Sequence, residues 1–259
     1  MACPPLALPP GELTKLAPLS SSAYFLDVDG TLIEIKPRPE DVAADEVLRT
    51  MLAELAAAAG GALGLVSGRT IDDLDRIFAP LIFPAVGLHG AEIRFSDGAR
   101  LVPPLGAMDA VREPLAKFIA AHAGLRLEDK GAALAVHFRQ APDLAGEVLK
   151  FVGALAENSG LAVQPGKMVA ELKDARHDKG NGIAALLANP PFTSRKPVFI
   201  GDDLTDESGF LFVNTQGGIS VRAGPARAPT HARYVLRDPA DVRAELHRLL
   251  PGQEAGPHP

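Results

Sequence analysis

The sequence predicts an α/β fold: a parallel β-sheet flanked by helices, with a second α/β segment inserted between two of its strands. Three observations carry this. First, short apolar runs at 23–28, 62–66, 86–89 and 197–200 have the character of buried strands that open onto turns. Second, a helix-forming stretch lies between the first two runs, and strand, helix and strand within about 45 residues make a βαβ unit, hence a parallel pair. Third, residues 106–173 read as two helices alternating with pairs of short strands, a different texture from the segments on either side.

Taken in order, residues 1–22 are rich in Pro and Ser and read as an irregular arm. Ala23-Tyr-Phe-Leu-Asp-Val is the first strand, ended by Asp29-Gly30. Residues 45–59 place leucines and a methionine at helical spacing, and Gly60-Gly61 stops that helix. Ala62–Val66 and 86–89 follow as strands. The inserted segment reads as helix 108–122, strands 125–128 and 132–138, helix 142–158, and strands 161–164 and 168–172. Pro103-Pro104 and the polar stretch Lys173–Asp178 mark its borders. Pro197–Ile200 is the fourth core strand, with helices near 180–189, 206–213 and 239–249 and a strand near 233–236. The expected domains are therefore an arm (1–22), a core (23–105 and 174–250), an insert (106–173) and a disordered tail (251–259).

Composition narrows the function classes. The chain is 47% hydrophobic and 22% charged, ordinary for a soluble globular protein. A net charge of -6 without a basic block argues against a nucleic-acid partner. Cys3 is the single cysteine, which rules out an intrachain disulfide and fits a reducing compartment. The N-terminal stretch is broken by Pro4, Pro5, Pro9 and Pro10 and does not read as a secretory signal. No apolar run approaches the roughly 18 residues of a membrane span. The expected location is cytoplasmic.

The chemistry lies where the strands end. In Phe25-Leu-Asp27-Val-Asp29-Gly-Thr-Leu32 the alternation of a strand puts Asp27 and Asp29 on one side, at the end where open parallel sheets bind ligands. Two carboxylates so close call for a hard divalent cation, magnesium above all, or for one of them to stay protonated. A bare D-x-D-G is equally an Asp-rich strand exit. Leu65-Val-Ser67-Gly-Arg69 ends another strand in a hydroxyl suited to a phosphoryl oxygen, although Ser-Gly there is more often a turn or a helix cap. Lys179-Gly180 opens a helix with a cation. Val198-Phe-Ile-Gly201-Asp202-Asp203-Leu-Thr-Asp206-Glu207 ends a strand in three aspartates, with no countercharge nearby in sequence. Each motif alone is weak; the four together form a set suited to phosphoryl transfer.

The series D-x-D-G-T, S-G-R, K-G and G-D-D-x-T-D, in that order, resembles the haloacid dehalogenase superfamily of phosphatases, and within it the trehalose-6-phosphate phosphatases. The likeness spans residues 23–250. It implies a Rossmann-like parallel-sheet core of the haloacid dehalogenase type with an inserted α/β cap domain that chooses the substrate. It further implies Asp27 as nucleophile, Asp29 as acid and then base, and Mg2+ held by Asp27, the backbone carbonyl of Asp29, and Asp202. Ser67 and Lys179 would steady the phosphoryl group, with Asp203 or Asp206 supporting the metal's water ligands. In the cap, Leu127–Lys130, Ala135–Arg139 and Gly166–Glu171 are similar to segments of that family, which implies sugar contacts by Glu128, Lys130 and Glu171. Gly87-Leu-His89-Gly-Ala-Glu92 also fits the family. His89 and His137 read as packing or hydrogen-bonded side chains, and Arg69 and Lys167 as candidates for phosphate or sugar contacts. The implied partner is a sugar phosphate, with any trehalose-6-phosphate synthase on a separate chain. Another sugar-phosphate phosphatase, a phosphomutase, and a non-catalytic sugar-phosphate sensor remain as alternatives.

Overall fold

The structure, a computed structural model, describes residues 4–36, 38–102, 106–166, 168–225 and 229–252. It divides into two compact units: Met1–Leu101 with Asp178–Pro259, and Val102–His177.

The first unit opens with strand β1 (Leu6–Ala7) and helix α1 (Glu12–Leu16). The irregular arm expected over 1–22 is therefore a correction within the described residues. Leu8, Leu13, Ala17 and Leu19 are buried, so this segment joins the core. The buried Glu245 carboxylate accepts the backbone N–H groups of Gly11 at 2.8 Å and Leu13 at 3.1 Å, which fixes the start of α1. Strand β2 (Ser22–Leu26) follows and is buried throughout. Helix α2 (Glu46–Ala58) is capped by Asp45, whose side chain accepts from Leu48 N, and buries Leu48, Met51, Leu52 and Leu55 at helical spacing. Strand β3 (Leu63–Val66), helix α3 (Ile71–Phe78), strand β4 (Ala85–Gly87) and the hairpin β5 (Glu92–Arg94) and β6 (Arg100–Leu101) complete this half.

The second unit contains α4 (Gly106–Ala120), β7 (Arg126–Asp129), β8 (Ala133–His137), α5 (Ala145–Ser159), β9 (Leu161–Gly166) and β10 (Val169–Asp174). Its sheet, in the order β7-β8-β10-β9, is antiparallel. Leu134 and Val136 of β8 and Ala170 and Leu172 of β10 bury one face together with Val111, Leu115, Val148 and Val152 of the two helices. The alternate residues Glu128, Ala135, Glu171 and Gln164 stand in register as one row across the other face.

The chain then returns to the first unit with α6 (Lys179–Leu187), β11 (Lys196–Gly201), α7 (Glu207–Thr215), β12 (Ile219–Ala223), β13 (Tyr234–Leu236) and α8 (Pro239–His247). The large sheet runs β1-β13-β12-β11-β2-β3-β4-β5-β6, parallel from β1 to β4 and antiparallel beyond. Phe25, Phe199 and Phe210 fill its centre, and Phe25 stacks on Phe192 with ring centres 5.3 Å apart. The expected disordered tail falls largely on 253–259, outside the described residues. Among the described residues, no helix is long and apolar enough to cross a membrane.

Candidate active site

Strands β11, β2 and β3 lie side by side and parallel, so their C-terminal ends reach one edge of the sheet. Asp27 follows β2, Ser67 follows β3 and Asp202 follows β11. The sheet tethers Asp27 directly, since its N–H donates to Ile200 O at 2.9 Å. Its carboxylate is 3% exposed and uses both oxygens: Oδ1 accepts from Lys179 Nζ at 2.7 Å and Oδ2 from Thr31 Oγ1 at 3.1 Å. Gly30 makes this packing possible. It turns at φ +84°, and a Cβ there would stand 2.2 Å from Asp202 Oδ2.

Lys179 supplies the countercharge missing from the local sequence around the aspartates. It is the first residue of α6, behind the Asp178 cap, and also donates to Asp206 Oδ1 at 2.5 Å. Asp206 is fully buried, and its Oδ2 accepts the N–H groups of Asp202 and Asp203, each at 2.9 Å. Carboxylate oxygens of Asp27, Asp202 and Asp206 all lie within 4.8 Å of one another. Three carboxylates around one ammonium leave negative charge unbalanced in a dry site. Burial, with the Asp206 and Asp202 charges added, accordingly pushes Asp27 well above the usual carboxylate range despite Lys179. Burial and then Asp206 push Asp202 up to about 7. Burial alone would lower the Lys179 ammonium, but Asp206 and Asp27 outweigh it and hold it above its ordinary value. A donor set of this kind fits a hard divalent cation.

Asp29 points its carboxylate elsewhere. Arg69 grips it through two parallel bonds, Nε to Oδ2 at 2.6 Å and Nη2 to Oδ1 at 2.8 Å. Ser67 is 1% exposed, and its Oγ accepts the Arg69 N–H at 3.1 Å, so hydroxyl and guanidinium belong to one loop. Asp203 is exposed and caps the short 3-10 turn Leu204–Asp206. In the second unit, Lys130 Nζ donates to Glu171 Oε2 at 2.9 Å, and His137 Nε2 lies 2.7 Å from Glu128 Oε2. The His137 hydrogen bond, helped by the Lys130 charge, holds the Glu128 carboxyl below its usual range. Lys167 lies outside the described residues.

Residues 25–240 match the family model described as trehalose-phosphatase. The chain belongs to the trehalose-phosphatase family. It is 43% identical over 210 residues to a probable trehalose-phosphate phosphatase of Sinorhizobium fredii, covering 80% of this chain and 79% of that one. It is 42% identical over 242 residues to the trehalose-6-phosphate phosphatase of Escherichia coli, covering 92% and 90%. The fold matches the C-terminal domain of a Candida albicans trehalose-6-phosphate phosphatase with a TM-score of 0.82 at 21% identity, over 95% of this chain and 99% of that one.

For this member of the trehalose-phosphatase family, the structure gathers Asp27, Lys179, Asp202 and Asp206 into one cluster. Of the two residues offered as alternatives in the acidic motif, Asp206 enters that cluster and Asp203 stays exposed. Sequence reasoning passed over Thr31, which donates to the Asp27 carboxylate, and did not foresee that Arg69 pairs with Asp29. The signal for Thr31 was available: a hydroxyl four residues after Asp27 can reach back across the tight Gly30 turn.

Proposed function

We propose that this chain hydrolyses trehalose 6-phosphate to trehalose and phosphate through an aspartyl-phosphate on Asp27, with Mg2+ as its cation. The observation that carries the reading is the buried Asp27 carboxylate, held by Lys179 and Thr31 beside Asp202 and Asp206 at the strand ends. The names of the Sinorhizobium and Escherichia relatives support the substrate.

Asp27, Asp202 and the backbone carbonyl of Asp29 hold the cation in this reading, and Asp206 supports them by fixing the Asp202 N–H and Lys179. Bound there, a hard divalent ion supplies charge neutralisation for the phosphoryl oxygens. Asp27 attacks phosphorus as the ester P–O bond breaks, and Asp29 gives its proton to the departing sugar oxygen. Asp29 then takes a proton from water, the water oxygen bonds to phosphorus, and the Asp27 carboxylate is released. Both Asp29 oxygens accept from Arg69, each with a lone pair left for a reacting group, so Arg69 orients the carboxyl for these proton transfers in this reading. Ser67 and Lys179 steady the transferred group. Glu128, Lys130 and Glu171 read sugar hydroxyls, for which paired carboxylates and an ammonium are suitable acceptors and donor.

Its substrate comes from a separate synthase in this reading. A Thermoproteus tenax relative, 34% identical, is named a bifunctional synthase/phosphatase, and this chain spans 32% of its length. The test is phosphate release with Mg2+ across trehalose 6-phosphate, glucose 6-phosphate and other sugar phosphates, alongside Asp27→Asn. Preference for trehalose 6-phosphate and no turnover by Asp27→Asn are expected. Equal rates on glucose 6-phosphate sink the substrate assignment, and a rearranged sugar phosphate as product makes the chain a mutase.

A further inference from the structure

The segment Leu88–Gly90 has no part in the chemistry above, yet its backbone is unusual among the described residues. Three successive residues adopt positive φ: Leu88 at 46°, His89 at 54° and Gly90 at 110°. Two of them carry side chains, and a non-glycine residue in this region costs on the order of 1–3 kcal/mol and persists only where its surroundings impose it. The segment closes the antiparallel β4–β5 pair, where Gly87 faces Glu92, and tight hairpin turns commonly use positive φ, but this turn also packs against two neighbouring loops.

It touches both phosphate-binding elements. On one side, Leu88 N donates to Arg69 O at 2.9 Å and His89 N to Ser67 O at 3.0 Å, so the turn grips the Ser67–Arg69 loop by its two end carbonyls. The His89 ring closes over the middle of that loop. A Cβ on Gly68 would stand 2.4 Å from both Cε1 and Nε2 of the ring. On the other side, Gly90 abuts the residue that caps α6 and precedes Lys179. A Cβ on Gly90 would lie 2.2 Å from Asp178 O, 2.7 Å from its C and 2.9 Å from its N, all backbone atoms that cannot rotate away. The turn is thus wedged between the Ser67 loop and the start of the Lys179 helix.

We propose that Leu88–Gly90 is the spacer that sets Ser67 against Lys179, with His89 a positioning residue for the phosphoryl site. This rests on the proposed phosphatase reading, in which Ser67 and Lys179 hold the phosphoryl group. The left-handed pair is the form that lets a three-residue turn offer two N–H groups to one loop and a bare Cα to the other. Because the positioning acts through the Ser67 loop, its effect vanishes when the Ser67 hydroxyl is removed.

The test uses the full chain with Mg2+ and two substitutions that tolerate positive φ, His89→Asn and His89→Gly. Asn reaches only to about the level of the ring's Cδ2, which stands 3.3 Å from the Gly68 Cβ position, so it withdraws the two closest atoms. Three readouts are taken: kcat on the preferred sugar phosphate, binding of inorganic phosphate by calorimetry, and the melting temperature. Both variants are expected to lose about tenfold in kcat and a similar factor in phosphate affinity. The melting temperatures show that both variants are folded at the assay temperature, so that a loss of activity is not a loss of fold. In a Ser67→Ala background, His89→Asn is expected to add less than about twofold. Wild-type kcat and phosphate affinity in both variants overturn the proposal, as does a loss that multiplies fully with that of Ser67→Ala. A wild-type chain that binds phosphate but turns over no sugar phosphate refutes the phosphatase reading, while the calorimetric arm still decides the role of His89.

Discussion

Lys179→Met is the most informative single perturbation of this site. The ammonium lies 2.7 Å from Asp27 and 2.5 Å from Asp206, and all three side chains are at least nine-tenths buried. Removing it strands two carboxylates in a dry environment, whereas Met keeps most of the volume. Breaking one buried ion pair in this way costs about 3–5 kcal/mol. At about 2–4 °C per kcal/mol for a chain of this size, the melting temperature falls by roughly 10 °C. The pH dependence follows from the sign of the shift. Without the ammonium, the folded pKa of Asp27, already raised, rises further, so the folded state binds more protons than the unfolded state above the ordinary carboxylate value near 4. The variant's folded state binds more protons than the wild type's above the wild-type folded pKa of Asp27, so the deficit grows as pH rises through that value and shrinks in acid, where both proteins carry neutral carboxyls. Adding Mg2+ returns positive charge to the cluster and recovers part of the loss. Thermal unfolding from pH 5 to 8, with and without Mg2+, measures all of this. A variant melting within about 2 °C of wild type at every pH without cation would refute the electrostatic account of the cluster.

Two further outcomes follow from the same geometry. Cation affinity should weaken as pH falls through about 7, where Asp202 gains its proton, by up to about tenfold per pH unit for each proton displaced. Calorimetry between pH 5.5 and 8, in buffers of differing ionisation enthalpy, reads both the affinity and the proton release; a flat profile contradicts the raised Asp202. In the second unit, Glu128→Gln and Glu171→Gln should raise KM for trehalose 6-phosphate about tenfold and leave hydrolysis of a small aryl phosphate unchanged. Equal loss on both substrates removes these residues from sugar recognition.

The sheet was legible because its central strands are uninterrupted apolar runs. Phe25, Leu26, Val198, Phe199 and Ile200 are fully buried and stop abruptly at Asp or Gly. Strand β12 was missed because Ser220 and Arg222 interrupt its apolar pattern. In the fold those polar side chains meet partners on the preceding helix α7: Ser220 reaches Asn214, and Arg222 reaches Glu207. The N-terminal arm was misread for a related reason. Its prolines signal irregular backbone, while the buried Leu13 and the Glu245 cap that order it depend on a helix more than two hundred residues away.

The site divides along the same line. Asp27, Ser67, Lys179 and Asp202 stand at the ends of recognisable elements, so their type and place in the chain already point to phosphate chemistry. Which of the three clustered aspartates turns inward could not be read from spacing. That choice is made by the Leu204–Asp206 turn, in which Asp203 caps the outer face and Asp206 closes back onto two N–H groups and Lys179. The Asp29–Arg69 pair was similarly hidden, since both residues lie on motifs whose separate roles appeared complete without it.

The central claim is the covalent step at Asp27, and trapping tests it most directly. Asp29→Asn is mixed with Mg2+ and 4-nitrophenyl phosphate, whose leaving group departs without the proton that Asp29 gives the sugar oxygen, then quenched in acid, and its peptides are analysed by mass spectrometry. Phosphate attached to Asp27 is the result this account predicts, because loss of the Asp29 base stalls the second step after the first has occurred. No phosphorylated Asp27 peptide, together with persisting turnover by Asp27→Asn, would contradict it.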